Sequence, residues 1–377
     1  MILIENGPGG RPAVFDAPRR LILAEAAADL APALEALDAG RRAGLWAAGF
    51  LSYEAGYALE PRLAGLMPPA RRLPLLAFGL YDVPVPAGPV LARAAAEAPG
   101  ARLGRATPSW AAADHAAAMG RVLAFIRAGD IYQANLTMQM HARREGPALG
   151  LYGALAARQP VGHGAFVALP GCPVLVSRSP ELFFATDALG GIETRPMKGT
   201  APRASNPAHD AALRIELQQS VKNRAENLMI VDLLRNDISR VCDPGSVRVP
   251  ELYAIESYAT VHQMVSRVTG RLRPGTAPSA ILRALYPCGS ITGAPKIRAM
   301  EIIRELEPAP RGAYCGAIGW LGPDGASAFN VAIRTLTLYG EAEVEFGVGG
   351  GIVADSTPQG EYEEALWKAR FAEAIHG

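Results

Sequence analysis

The sequence predicts a mixed α+β fold, and three observations carry that expectation. Strand-like runs outnumber helical ones. The two kinds do not alternate strictly, which argues against a doubly wound parallel sheet. The chain has 377 residues and is 50% hydrophobic, enough to bury a large core in one big domain or two modest ones.

Residues 1 to about 83 alternate short apolar runs with Gly and Pro. Phe50–Glu54 and Leu73–Tyr81 read as strands. From Val83 past Pro99 and Gly100 the chain is rich in Pro, Ala and Gly and reads as a linker. A soft boundary there divides a smaller N-terminal part, residues 1–100, from a catalytic part, residues 101–377. Ser109 looks like an N-cap for a helix from Trp110 to Ala128 that stops at Gly129. Gln133–His141, Gly164–Leu169, Val174–Ser177 and Leu182–Thr186 follow as strands. Leu213, Leu217, Val221, Leu228, Val231 and Leu234 recur at helical spacing, so one long helix is expected over Ala208–Val241. Tyr258–Val268, Ala313–Leu321, Ala326–Leu338 and Ala342–Val348 read as further strands, and Gly360–Ile375 as a last helix. No internal repeat is visible.

Composition removes several function classes. Lys and Arg total 37 and Asp and Glu 36, a net charge of +1. No basic stripe points to nucleic acid or an anionic membrane surface. The four cysteines (Cys172, Cys242, Cys288, Cys315) are scattered, without the spacing of a zinc site or a disulfide framework. No secretory leader and no apolar stretch of membrane-spanning length is seen, so a cytoplasmic location is expected. There is no P-loop, dinucleotide fingerprint or nucleophile elbow. A small-molecule enzyme, or a subunit of one, remains.

Five segments stand out from the alanine-rich background. They are Gly129–Thr137; Ser179–Phe183 with Thr194–Thr200; Arg224–Asp237; Cys288–Arg298; and Gly349–Ser356 with Glu361–Lys368. Together, and in this order, they resemble the chorismate-utilising enzymes, which include component I of anthranilate and aminodeoxychorismate synthases and the isochorismate and salicylate synthases. The resemblance covers about Ser109–Arg370. The N-terminal part matches only loosely, through Gly49–Glu54.

The resemblance implies antiparallel sheets packed as a sandwich and flanked by helices, and a Mg²⁺-dependent site. Glu226 and Glu364 match the two Mg²⁺ ligands, as suits a hard cation that takes one or two carboxylates plus water and substrate oxygens. The ion would polarise the substrate's ring carboxylate. Glu361, Glu364 and Lys368 fall on one face of the last helix, with Glu361 acting through water. Asn223 departs from the acidic residue usual one turn before Glu226. Arg334 and Tyr314 match positions that hold the enolpyruvyl carboxylate, for which the Arg fork is suited. Gly349, Gly350 and Gly351 would let backbone N–H groups approach the substrate. Ser290 matches a substrate contact. Thr292 and Lys296 fit that segment, or equally a turn and a helix start. His262 matches a histidine beside the departing group.

Glu181 and Lys198 bear on the reaction. Glu181 matches a general acid that protonates the C4 hydroxyl as it leaves, which needs a raised pKa. Lys198 stands where most anthranilate and isochorismate synthases have a small residue. In the aminodeoxychorismate branch such a lysine adds to ring C2, and ammonia then displaces it by attack at C4, so its amine must be deprotonated. Gln133 replaces the lysine base of the water-using branches. The expected reaction is therefore amination at C4, giving 4-amino-4-deoxychorismate for para-aminobenzoate and folate synthesis. Anthranilate synthesis is the alternative. No Cys-His-Glu set for a glutaminase stands out, so the expected partner is a separate glutaminase subunit supplying ammonia.

Overall fold

The computed structural model describes residues 1–258, 261–373 and 375. Two large sheets dominate, and every pairing between their strands is antiparallel. The first runs in space as Gly293–Ala294, Gln133–Glu145, Glu343–Ile352, Thr335–Tyr339, Val174–Ser177, Ala165–Val167, Ile2–Ile4, Ala13–Phe15 and Val85–Pro86. The second runs as Met197–Pro202, Val261–Arg271, Gly191–Thr194, Leu182–Thr186, Ser327–Val331, Ala317–Leu321, Trp46–Leu51, Leu76–Tyr81 and Arg20–Ala24. Strands from before residue 87 thus extend both sheets.

Side-chain alternation turns each strand's faces to different cores. Ile2, Ile4, Phe50 and Ile318 join one cluster between the sheets. Leu3 packs outward with Leu149, Tyr152, Leu155 and Phe371, beneath helices Ala148–Arg158 and Pro358–Glu373. Leu51 packs outward from the second sheet with Leu34, Ile230, Leu234 and Leu282, beneath helices Ala27–Arg42, Val221–Ser239 and Pro278–Leu285. The arrangement is a sheet sandwich flanked by helices.

Four local readings differ from expectation. The stretch read as a linker contains a helix, Gly88–Glu97. It packs on Ala148–Arg158, where a Cβ on Gly153 would lie 2.2 Å from the Ala94 carbonyl oxygen. Ser109 does not cap the next helix. That helix starts at Ala112, with the Asp114 carboxylate accepting from the Ala111 N–H. The long helix is two, Pro207–Gln219 and Val221–Ser239, broken where the Ser220 hydroxyl accepts from the Asn223 N–H at 3.3 Å; apolar spacing persists across such a break. The run Ala326–Leu338 is two strands in different sheets. The chain crosses at Arg334, whose φ of 50° is left-handed. Both halves alternate, so periodicity hides the crossing. A strand over Arg248–Ser257, paired with Val261–Arg271, was not foreseen. Of the regular stretches expected, positions 259, 260 and 374 lie outside the described residues.

Gly49 sits where the strand Trp46–Leu51 meets Leu76–Tyr81, and a Cβ there would lie 2.0 Å from the Ala77 carbonyl oxygen. Gly49→Ala should cost about 1–3 kcal/mol of stability by overpacking, read as a lowered denaturant midpoint.

Candidate active site

The five segments converge where the end strands of the two sheets meet two helices. The strand Glu343–Ile352 supplies a floor without Cβ atoms. A Cβ on Gly349 would lie 2.2 Å from the Leu136 carbonyl oxygen. One on Gly350 would meet Glu361 Oε2 at 2.9 Å, Lys368 Nζ at 3.6 Å and Glu364 Oε1 at 3.8 Å. One on Gly351 would meet Gln133 Nε2 at 2.8 Å and Lys198 Nζ at 3.3 Å. Side chains from three elements thus close on these three glycines.

A β-bulge places Lys198. Met197 pairs with Val265 and Thr200 with Gln263, so Lys198 and Gly199 together face the single residue Met264. Gly199 supports this with φ 89°. A bulge re-aims a side chain out of the regular alternation, and here the amine points across to the glycine strand of the other sheet. Burial pushes the Lys198 amine below its ordinary pKa, against the pull of Glu226. Lys368, Glu181 and Glu364 also act on it. Beside it, Gln133 is fully buried, and neither end of its carboxamide has a partner among the described residues. An orphaned buried amide costs on the order of 1–3 kcal/mol, which a polar ligand would relieve.

Glu181 lies just before the strand Leu182–Thr186 and is buried. Its Oε1 accepts from Ser290 Oγ at 2.7 Å. Burial pushes its carboxyl up to about 7, although Ser290, Lys198 and Arg334 favour the charged form. Arg334, at the sheet crossing, has a strained left-handed backbone and no hydrogen-bond partner for its guanidinium among the described residues. Its fork is available to a carboxylate. The Tyr314 ring packs on Gly347, where a Cβ would sit 2.1 Å from Cδ1.

The carboxylates lie on two helices. Lys368 Nζ contacts Glu364 Oε1 at 2.7 Å and donates to the Gly349 carbonyl at 2.9 Å. Ser356 Oγ donates to Glu361 Oε1 at 2.5 Å. Glu226 faces Lys198 and Lys222 from the long helix, and burial raises its carboxyl's pKa. Lys222 in turn bridges to Asp355 at 3.2 Å, linking the two carboxylate-bearing segments. No three carboxylate, His or Cys groups among the described residues form a ready cation cage. Two hard carboxylates, with Glu361 held off by Ser356, still fit Mg²⁺, which keeps several waters.

His262 stands apart from these groups. Its Nδ1 pairs with Ser257 Oγ at 2.7 Å and its Nε2 with Asp210 Oδ1 at 3.1 Å, so both nitrogens are occupied. Strand alternation explains the misplacement. Its neighbour Gln263 turns the other way, to Gly199 and Thr200. Lys296 is also structural, with Nζ held by Asp237 at 2.5 Å and the Leu285 carbonyl at 2.9 Å. The Thr292 hydroxyl donates to the Cys288 carbonyl at 2.8 Å. Asn223 packs against Gly199 and donates to Ser220 Oγ at 3.0 Å.

A sequence profile described as chorismate binding enzyme matches residues 5–374. The chain belongs to the chorismate-binding enzymes. It is 47% identical over 248 residues to component 1 of aminodeoxychorismate synthase from Klebsiella aerogenes, covering 66% of this chain and 54% of that protein. It is 46% identical over 249 residues to the chloroplastic aminodeoxychorismate synthase of Arabidopsis thaliana, covering 65% of this chain and 27% of that protein. The matched regions thus span between about a quarter and about half of those relatives. The crystal structure of anthranilate synthase component I from Streptococcus pneumoniae TIGR4 superposes with a TM-score of 0.80 at 26% identity, covering 96% of this chain and 91% of that one. The sandwich is therefore the fold of this family.

Two outcomes follow for this family member. Gly351→Ala should displace Lys198 and Gln133 and lower kcat/KM by about 10²-fold, the cost of a misplacement near 1 Å. If Glu181 donates a proton in turnover, the single-turnover rate should fall as pH rises through about 7. Glu181→Gln should remove that limb and about 10²–10⁴-fold of rate.

Proposed function

We propose that this chain aminates chorismate at C4, as component I of an aminodeoxychorismate synthase, with ammonia from a separate glutaminase subunit. The carrying observation is the Lys198 amine, turned by its bulge onto Gly351 beside the orphaned Gln133 carboxamide. The names of the Klebsiella aerogenes and Arabidopsis thaliana relatives support the reading, and "component 1" implies a partner.

Arg334 and Tyr314 bind the enolpyruvyl carboxylate, and the glycine strip and Lys368 line the floor. Glu226 and Glu364, with Glu361 acting through water, would hold Mg²⁺, which when bound would supply Lewis-acid polarisation of the ring carboxylate. The deprotonated Lys198 amine bonds ring C2 as both conjugated ring double bonds shift toward C4. The C4 hydroxyl leaves as water, taking its proton from Glu181. Ammonia then bonds C4, both double bonds return, Lys198 leaves C2 as the neutral amine, and the C4 ammonium group returns a proton to Glu181. Gln133 is uncharged and cannot act as a base for water, which favours an amine nucleophile.

Anthranilate synthesis is the second reading, favoured by 41% identity over 252 residues to component 1 of anthranilate synthase from Streptomyces coelicolor. A product assay separates the two. With chorismate, Mg²⁺ and ammonium ion, a product that keeps its enolpyruvyl group and carries nitrogen at C4 supports the proposal. Pyruvate released with an ortho-aminobenzoate rejects it. Lys198→Ala should bring amination near background. Chelation should abolish turnover and added Mg²⁺ restore it. Glu361→Gln should raise the Mg²⁺ requirement about 10–100-fold, as loss of an outer partner does.

A further inference from the structure

Among the described residues none accepts a hydrogen bond from Lys198 Nζ. The position of the amine is therefore set from the backbone end, by the bulge. One side chain grips that bulge twice. Gln263 Nε2 donates to the Gly199 carbonyl at 2.8 Å, and Thr200 Oγ1 donates to Gln263 Oε1 at 3.0 Å. Both contacts lie just after Lys198, where the register slips by one residue. On its other side Gly199 is closed off by Asn223, whose Cβ and Cγ would lie 3.0 Å from an added Cβ. A bulge leaves backbone groups out of the ladder. Here the carboxamide takes up the carbonyl that the slip frees and fixes the direction in which Lys198 leaves the strand.

We infer that Gln263 is a positioning residue for Lys198: its carboxamide bridges the Gly199 carbonyl and the Thr200 hydroxyl and holds the bulge that aims the amine over Gly351. The inference rests on the reading of Lys198 as the group that bonds the substrate ring. It differs from a packing role in what it demands of the side chain. Length and apolar bulk are insufficient, because both hydrogen bonds must form. A lysine with unconstrained rotamers would spend most of its time away from the reacting carbon, and misplacement near 1 Å costs about 10²-fold in rate.

The test compares Gln263→Met, Gln263→Glu, Thr200→Val and Lys198→Ala in the full chain, with chorismate, Mg²⁺ and ammonium ion. Gln263→Met keeps length and bulk without either hydrogen bond. It should lower kcat about 10–100-fold with KM for chorismate and melting temperature close to the starting protein's. Gln263→Glu keeps the acceptor for Thr200 but sets a carboxylate oxygen against the Gly199 carbonyl, so it should lose at least as much as Gln263→Met. Thr200→Val should cost little once Gln263 is Met, because the two act as one unit. Wild-type kcat in Gln263→Met, beside an inactive Lys198→Ala, overturns the inference and leaves the Lys198 reading standing. Full turnover in Lys198→Ala overturns both. A kcat loss accompanied in both Gln263 variants by a matching fall in melting temperature assigns Gln263 to structure alone and also overturns the inference.

Discussion

The site depends on one steric constraint, the absence of side chains along Gly349–Gly351. Each position would place a Cβ within 3.0 Å of another group: the Leu136 carbonyl, the Glu361 carboxylate and the Gln133 carboxamide in turn. Packed interiors have no slack to absorb such atoms. With them gone, a lysine from one sheet, a glutamine from the other and an acidic helix face reach a common space. The bulge at Lys198 solves the complementary problem, delivering one long side chain across the gap between the sheet ends.

Burial then sets the charge states of the cluster. Lys198 and Lys368 press on each other while Glu181, Glu226 and Glu364 act in opposition, and burial tips the Lys198 amine toward its neutral form. Glu181, buried with Ser290 on its oxygen, is pushed the other way, to about 7. Burial disfavours both charges, leaving an amine that can attack and an acid that can donate. Arg334 holds its left-handed conformation at the point where the chain changes sheets. The fold crossing and the guanidinium proposed to bind a carboxylate are thus the same residue.

Much of this was legible in the sequence. Glu181, Ser290, Lys198, Gln133, Glu361, Glu364 and Lys368 lie in segments dense in charge and glycine, and the structure gathers them. Local periodicity could not show the sheet change at Arg334, because both halves of that run alternate. The break at Ser220 was hidden by apolar spacing that continues across it. His262 shows the limit most clearly. A one-residue difference in a strand reverses the face, and the bulge that fixes the parity of Val261–Arg271 against Met197–Pro202 lies in the partner strand. Gln263 was overlooked for the same reason. The parity of Thr200 is the signal that could have found it, once the bulge was known.

The central claim is that the Lys198 amine forms a bond to the substrate ring. Mass spectrometry of the chain incubated with chorismate and Mg²⁺, without ammonia, tests it directly. The account predicts an adduct of chorismate less one water on the peptide that contains Lys198, lost when ammonium ion is added. An unmodified Lys198 peptide, in protein that then aminates chorismate fully on adding ammonium ion, would contradict it.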